Sequence, residues 1–370
     1  MDRLRVSLPV AALIMMGAQT QLYGFGYHYH IKSGLPVIRW PPGIGWRAGE
    51  KSFPPGSTFR NGLVWSCAEW NVAPGNFAFG VANWGETSVK RGNGEDEIWF
   101  TTSQDVLQGA PAICYTWAFL SGGRVWYSEA DIALNASVWW SPLTGLYDKV
   151  RYGGSNRPFM TTAMHEMGHA LGLAHENRTY NLMGEDFTHL TANGGTMFVG
   201  AGEDATQGEL FLYGIKPGIQ SNDLGVSHWK YGGASGEYSV HTPTLVYVDL
   251  QGTVAYWETQ IGFRRYHLRA GQVCIVEFTL TNNGINPYTV DVGYYISTND
   301  SISTYDRRIA TRSRAVYADW PGSVLQGLII PADLTAGQTY YLGAIVDYTN
   351  KIPEYDEQNN ATFLPIKIVP

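Results

Sequence analysis

Between Ser57 and Asn71 the apolar residues Leu63, Val64, Trp65 and Ala68 follow a Ser57-Thr58 opening, which predicts an amphipathic helix over 57–71. Ile98-Trp99-Phe100, Ala112-Ile113-Cys114-Tyr115 and Val125-Trp126-Tyr127 are short apolar runs between Gly-rich turns and predict strands. A second helix is expected from Phe159 to about Leu173, with Asn156 or Ser155 as cap and Pro158 in its first turn. Further on the period becomes two. Cys274, Val276, Phe278 and Leu280 share one face, as do Val290, Val292, Tyr294 and Ile296, and again Tyr340, Leu342, Ala344 and Val346; Asn282-Asn283-Gly284 is a turn between strands. That pattern predicts an antiparallel β-sandwich.

A chain of 370 residues holds two ordinary domains. Arg3 and Arg5 before the apolar stretch Val6–Met16 predict a signal peptide over 1–18, since the stretch falls short of the ~20 residues a spanning helix needs. Residues 19–38 read as a short mobile leader, in which Tyr27-His28-Tyr29-His30 is a weak metal tract. An α/β domain then spans 39–231. Gly232-Gly233-Ala234-Ser235-Gly236 reads as a linker over 232–236, and the sandwich as 237–370. A fragment ending at 234 is expected to fold and work alone.

Composition narrows the partners. A net charge of −7, with no run of Lys or Arg beyond short pairs, leaves no footprint for nucleic acid or acidic membranes. Three cysteines without paired spacing exclude a thiolate zinc site. In an oxidising compartment Cys67 and Cys114 are a candidate disulfide, whereas Cys274 reads as a buried core thiol.

The chemistry is concentrated in Met164-His165-Glu166-Met167-Gly168-His169-Ala170-Leu171-Gly172-Leu173-Ala174-His175, which satisfies H-E-x-x-H-x-x-G-x-x-H. Residues four apart on a helix lie one turn above each other, so His165 and His169 can face one ion. Gly172 can take positive φ, end the helix and bring His175 back. Three neutral imidazoles leave a fourth tetrahedral position on Zn2+ for water, whose pKa the ion lowers toward ~7. Glu166 stands beside the first ligand as general base. His189, His228, His241 and His267 lack ligand spacing and read as surface or hydrogen-bonded residues.

These residues resemble the metzincin clan of zinc metallopeptidases. Asn181-Leu182-Met183-Gly184 looks like the clan's Met-turn, and the eight residues from His175 to Met183 are similar to the matrixin branch, although Glu176 is more astacin-like. The resemblance implies an α+β catalytic domain with a twisted mixed sheet, an active-site helix and a Met-turn. It further implies that Arg124–Asn135, through Tyr127, Ser128, Glu129, Ala130 and Asp131, is the edge strand that binds extended substrate. No Cys precedes residue 67, so a matrixin-like cysteine switch is not expected, and no His lies between 31 and 164 to build a second zinc site. The C-terminal part resembles CARDB immunoglobulin-like domains through Thr279–Gly284, Tyr295–Asp300 and Ile352–Asn360. Asp300, Asp306, Asp356 and Glu357 offer the oxygen ligands that Ca2+ takes, though solvated loop carboxylates are the favoured reading.

The sequence thus points to a secreted zinc endopeptidase acting on proteins or peptides, with a sandwich that places it on a surface, matrix or polymer. The rival reading is an adhesion protein carrying a vestigial protease domain.

Overall fold

The computed structural model describes residues 6–8, 25–29, 33–142, 145, 156–318 and 320–370. The first half is a mixed sheet with helices packed against it. Its strands are β1 (Ile44–Gly49), β2 (Phe79–Glu86), β3 (Glu97–Thr101), β4 (Ala112–Ser121) and β5 (Arg124–Asn135), in the order β2-β1-β3-β5-β4. All neighbours are parallel except β4, which runs antiparallel to β5. Helix α1 (Thr58–Val72) is capped by Ser57, whose hydroxyl accepts from the Arg60 N–H, and it buries Leu63, Cys67 and Trp70. Helix α2 (Phe159–Leu171) is buried along its whole length. Pro158 occupies its cap position rather than its first turn, and Gly172 ends it at φ 118°. Helix α3 (Gly202–Tyr213) follows.

The second half begins earlier than its alternating pattern announces. Strand β6 (Leu224–Ser227) already pairs with a sandwich strand, Leu224 opposite Asn282 and Ser227 opposite Thr279. The segment read as a linker is instead the turn region of a hairpin, β7 (Trp229–Ser235) with β8 (Tyr238–Pro243). Its glycines serve geometry rather than mobility: the register shifts between Tyr231 and Gly233, and Gly236 takes φ 64° where a two-residue turn needs Gly. Nine further strands make two sheets: β9 (Val246–Tyr247), β10 (Trp257–Gln260), β11 (Phe263–Arg269), β12 (Val273–Asn282), β13 (Tyr288–Ser297), β14 (Arg307–Val316), β15 (Gly322–Ile329), β16 (Thr339–Val346) and β17 (Ala361–Val369), with β6 completing the set. One sheet joins β6, β9 and β15 to β12; the other runs β10-β11-β17-β16-β13-β14. The predicted inward faces of β12 and β13 are buried, as are Leu342, Ala344 and Val346 on β16, and Cys274 is a core thiol.

The other face of the larger sheet meets the first half. Tyr295, Ile345 and Phe363 join the core that holds Leu190, Ala192 and Met197. Thr362 donates to the Ala192 carbonyl at 3.1 Å, and Ile302 N–H donates to Asn193 Oδ1 at 2.7 Å. This explains why β13 departs from strict alternation: both of its faces are covered.

The leader is partly built in. Gly26–Tyr27 pairs with Leu173–Ala174, Ile38–Arg39 pairs with Trp126–Tyr127, and Phe25, His28 and Val37 are buried. Of the segment read as a signal peptide, Val6–Leu8 pairs with Thr116–Ala118; the rest of 1–18 lies outside the described residues. Among the described residues no helix is long and apolar enough to cross a membrane.

Candidate metal centre

Helix α2 sets His165 and His169 on one face, and the left-handed turn at Gly172 returns His175 to them. The Nε2 atoms of His165 and His175 are 3.2 Å apart, and those of His169 and His175 3.1 Å. The remaining nitrogens have other work. His165 Nδ1–H donates to the Leu182 carbonyl at 2.8 Å and His169 Nδ1–H to the Leu173 carbonyl at 2.9 Å. His175 Nδ1 lies 3.5 Å from Glu237 Oε2.

With their protons on Nδ1, His165 and His169 turn the lone pairs of their Nε2 atoms toward Nε2 of His175, a convergence of donors suited to a cation. Tetrahedral Zn–N bonds of ~2.0–2.1 Å set neighbouring nitrogens about 3.3 Å apart, so this donor set fits zinc. Burial, then the neighbouring His175, lowers the pKa of His165 to about 4; the same causes, joined by His165, hold His169 well below its ordinary value. Among the described residues these three form the only cluster of potential metal-ligating side chains.

Glu166 is buried next to the ligands, and its pKa is pushed up to about 8, first by burial and then by Asp186, against the opposing pull of Arg157 and a hydrogen bond from the Cys114 backbone. Beneath the site, Met183 is buried and its thioether fits the notch at Gly168. Glu176 is also buried, and its carboxylate takes both the Arg178 backbone N–H and guanidinium, which shapes the loop into the turn.

A cleft of about 540 Å³ opens over these residues. One wall is Ala110–Cys114 at the start of β4; the opposite side carries Arg157, Thr162, Asp186 and Phe187. Arg157 is ion-paired to Asp186 and donates to Thr162 Oγ1 at 2.9 Å. Glu237, Tyr238, Ser239 and Val240, from the hairpin, close the remaining side.

Several expected residues lie elsewhere. Strand β5 is paired by β4 on one side and β3 on the other, so it is not an edge; its run Ala130–Leu134 is buried throughout, as a central strand requires. Tyr127 is buried with its hydroxyl 2.5 Å from His28 Nδ1, holding the leader rather than a substrate. Ser128 Oγ donates to the Trp117 carbonyl, and Ala130 is fully buried. Glu129 accepts from the Asn93 and Gly94 N–H groups, and Asp131 from those of Gly92 and Glu97. The cleft edge belongs to β4. Cys67 and Cys114 are free buried thiols: one points inward from α1, the other sits on β4, and no bond joins them.

His28 stacks on His169 with ring centroids 6.3 Å apart but is not a member of the ligand cluster, and His30 lies outside the described residues. His189, His228 and His241 are buried, not superficial, and His241 bonds Thr188 and Ser239 beside the Met183 turn. In the C-terminal loops Asp306 accepts from Ser303, Asp356 from the Gln358 N–H and Glu357 from Asn360, and no cluster of carboxylates suited to calcium gathers there among the described residues. Glu237 and Tyr238 are the site residues that sequence reasoning missed. The alternation of Trp229, Tyr231, then Tyr238, Val240 about a Gly-containing turn was their available signal.

No family model matches the chain, and no curated protein does. Among solved structures, it is similar to the CARDB domain of a Pyrococcus furiosus protein in complex with di-metal ions, at 15% identity and TM-score 0.25, covering 41% of this chain and 91% of that one. It is also similar to a domain spanning residues 272–376 of a Methanosarcina acetivorans protein, at 19% identity and TM-score 0.20, covering 25% and 75%. At such scores the likeness carries no weight; the sandwich stands on its own strand pairings.

Proposed function

We propose that this chain is a secreted, zinc-dependent endopeptidase of metzincin type, with matrixin-like turn spacing, whose ion is held by His165, His169 and His175 and whose general base is Glu166. The observation that carries this reading is the convergence of the Nε2 atoms of His165, His169 and His175 beside one buried carboxyl group. The mixed sheet with a single antiparallel strand at the cleft, the helix ending at Gly172, and Met183 packed beneath it all support the clan assignment.

Bound zinc would supply Lewis acidity to the attacked carbonyl and to water. The protein does the rest. The β4 wall at Ala110–Cys114 offers main-chain groups to an extended peptide. Glu166 removes a proton from the attacking water and delivers it to the leaving amide nitrogen as the C–N bond breaks. The Cys114 N–H and Arg157 favour its ionised form, the one that accepts the proton and is restored once the proton has been delivered. Secretion rests on the basic and then apolar N-terminal sequence, and the sandwich is read as a CARDB-like module that places the enzyme on a surface, matrix or polymer.

The test is hydrolysis of casein or gelatin with and without a chelator, beside Glu166→Gln. Wild type should cleave, lose activity to chelator and regain it with zinc, while the variant stays inert with its zinc retained. Zinc-loaded wild type that is as inert as the variant on a broad peptide library would favour the adhesion reading instead.

A further inference from the structure

We propose that Glu237, carried on the hairpin β7–β8, is a positioning residue for His175, so that the metal centre is completed by the second half of the chain. This rests on the zinc reading above.

The three ligands are secured differently. His165 and His169 are buried on α2, and their Nδ1–H groups are fixed by the carbonyls of Leu182 and Leu173, both close along the chain. His175 lies past the helix end and is the most exposed of the three side chains, at 11%. The acceptor within reach of its Nδ1 is Glu237 Oε2, at 3.5 Å. A metal-bound imidazole whose other nitrogen faces a carboxylate has its tautomer and ring plane set and its basicity raised.

The hairpin is anchored where this requires. Tyr238 lays its ring 4.3 Å from that of His175, restricting rotation. Asn177 Nδ2 donates to the Gly236 carbonyl at 2.7 Å, and Tyr231 OH donates to the Asn177 carbonyl at 2.9 Å. Farther along, His241 N–H donates to Glu185 Oε2 at 2.6 Å, and Ser239 is packed so tightly on Gly184 that a Cβ there would stand 1.7 Å from its Oγ. The hairpin is thus fastened on both flanks of the loop that carries His175 and the Met183 turn. Glu237 itself is 38% exposed at the hairpin tip, so removing its side chain leaves that fastening intact.

The experiment uses the full chain loaded with zinc, and in parallel with cobalt as a spectroscopic probe. Glu237→Ala should release zinc to a competing chelator about 10–100-fold more readily and alter the cobalt absorption bands, while the metal-free protein unfolds at the wild-type temperature. Glu237→Gln, which keeps an acceptor oxygen, should fall between. Unchanged zinc release and an unchanged cobalt spectrum in Glu237→Ala, beside a wild type that binds one zinc, would overturn the role of Glu237 alone. A wild type that takes up no zinc would overturn the metal reading itself.

Discussion

A Cβ added to Gly168 would lie 2.4 Å from Sδ of Met183 and 3.0 Å from its terminal methyl: the thioether occupies the space that glycine leaves in the helix above it. Gly168→Ala therefore overpacks the floor of the site and should cost about 1–3 kcal/mol. Met183→Ala should cost about 2–5 kcal/mol through the cavity it opens. The two changes share one space, so the double variant should be less destabilised than the sum of the singles. Urea unfolding of all four proteins measures this, and strict additivity would show that the two residues do not meet.

Gly172 holds φ 118°, and a Cβ there would lie 3.0 Å from the Val37 carbonyl. Gly172→Ala should cost on the order of 1–3 kcal/mol in backbone strain. The strain falls between two ligands and the third, so zinc affinity should drop with it. Titration against a fluorescent zinc indicator, with His169→Ala as the reference for a lost site, checks both.

Ending the chain at 234 cuts the hairpin within β7, one residue before its end, and removes β8 along with β12, against which β6 is paired. It also exposes Leu190, Ala192 and Met197, which the sandwich face covers. The fragment should be insoluble or bind a hydrophobic dye strongly, contrary to what a flexible linker implies. A soluble, cooperatively unfolding fragment would show that the shared core is dispensable.

Burial lowers the pKa of His228 to about 3. The unfolded chain takes up this proton near pH 6.5 and the folded one does not, so stability is whole above pH 6.5 and declines as pH falls toward 3. By pH 4.5 the loss from this residue is roughly 2–3 kcal/mol. Urea midpoints should fall across that window, less steeply in His228→Gln.

What could be read in advance was local. Ser57 as cap, Gly172 as helix stop and the alternating faces of β12 and β13 each follow from residues within one or two turns or strands. The ligand set was legible because two histidines are fixed by helical period and the third by a glycine beside them. Pairing partners were not. Whether β4 or β5 stands at the cleft depends on which strand β3 pairs with, and that choice is made by contacts distant in the sequence. Gly232–Gly236 read as a linker because glycine marks bulges and tight turns as well as loose chain; what decided the matter was the contact of Ser239 and His241 with the Met183 turn, some sixty residues away. Glu237 could be assigned only once that contact was known.

Because β7 and β8 are inserted between the first and second strands of the sandwich, the two halves are not interchangeable cassettes. A crossover after β8 leaves the donor sandwich without its first strand, and one before β6 replaces a wall of the cleft along with the binding module. Any lineage or engineer that exchanges the C-terminal half with its sandwich whole would therefore exchange a wall of the proposed peptidase's cleft in the same act.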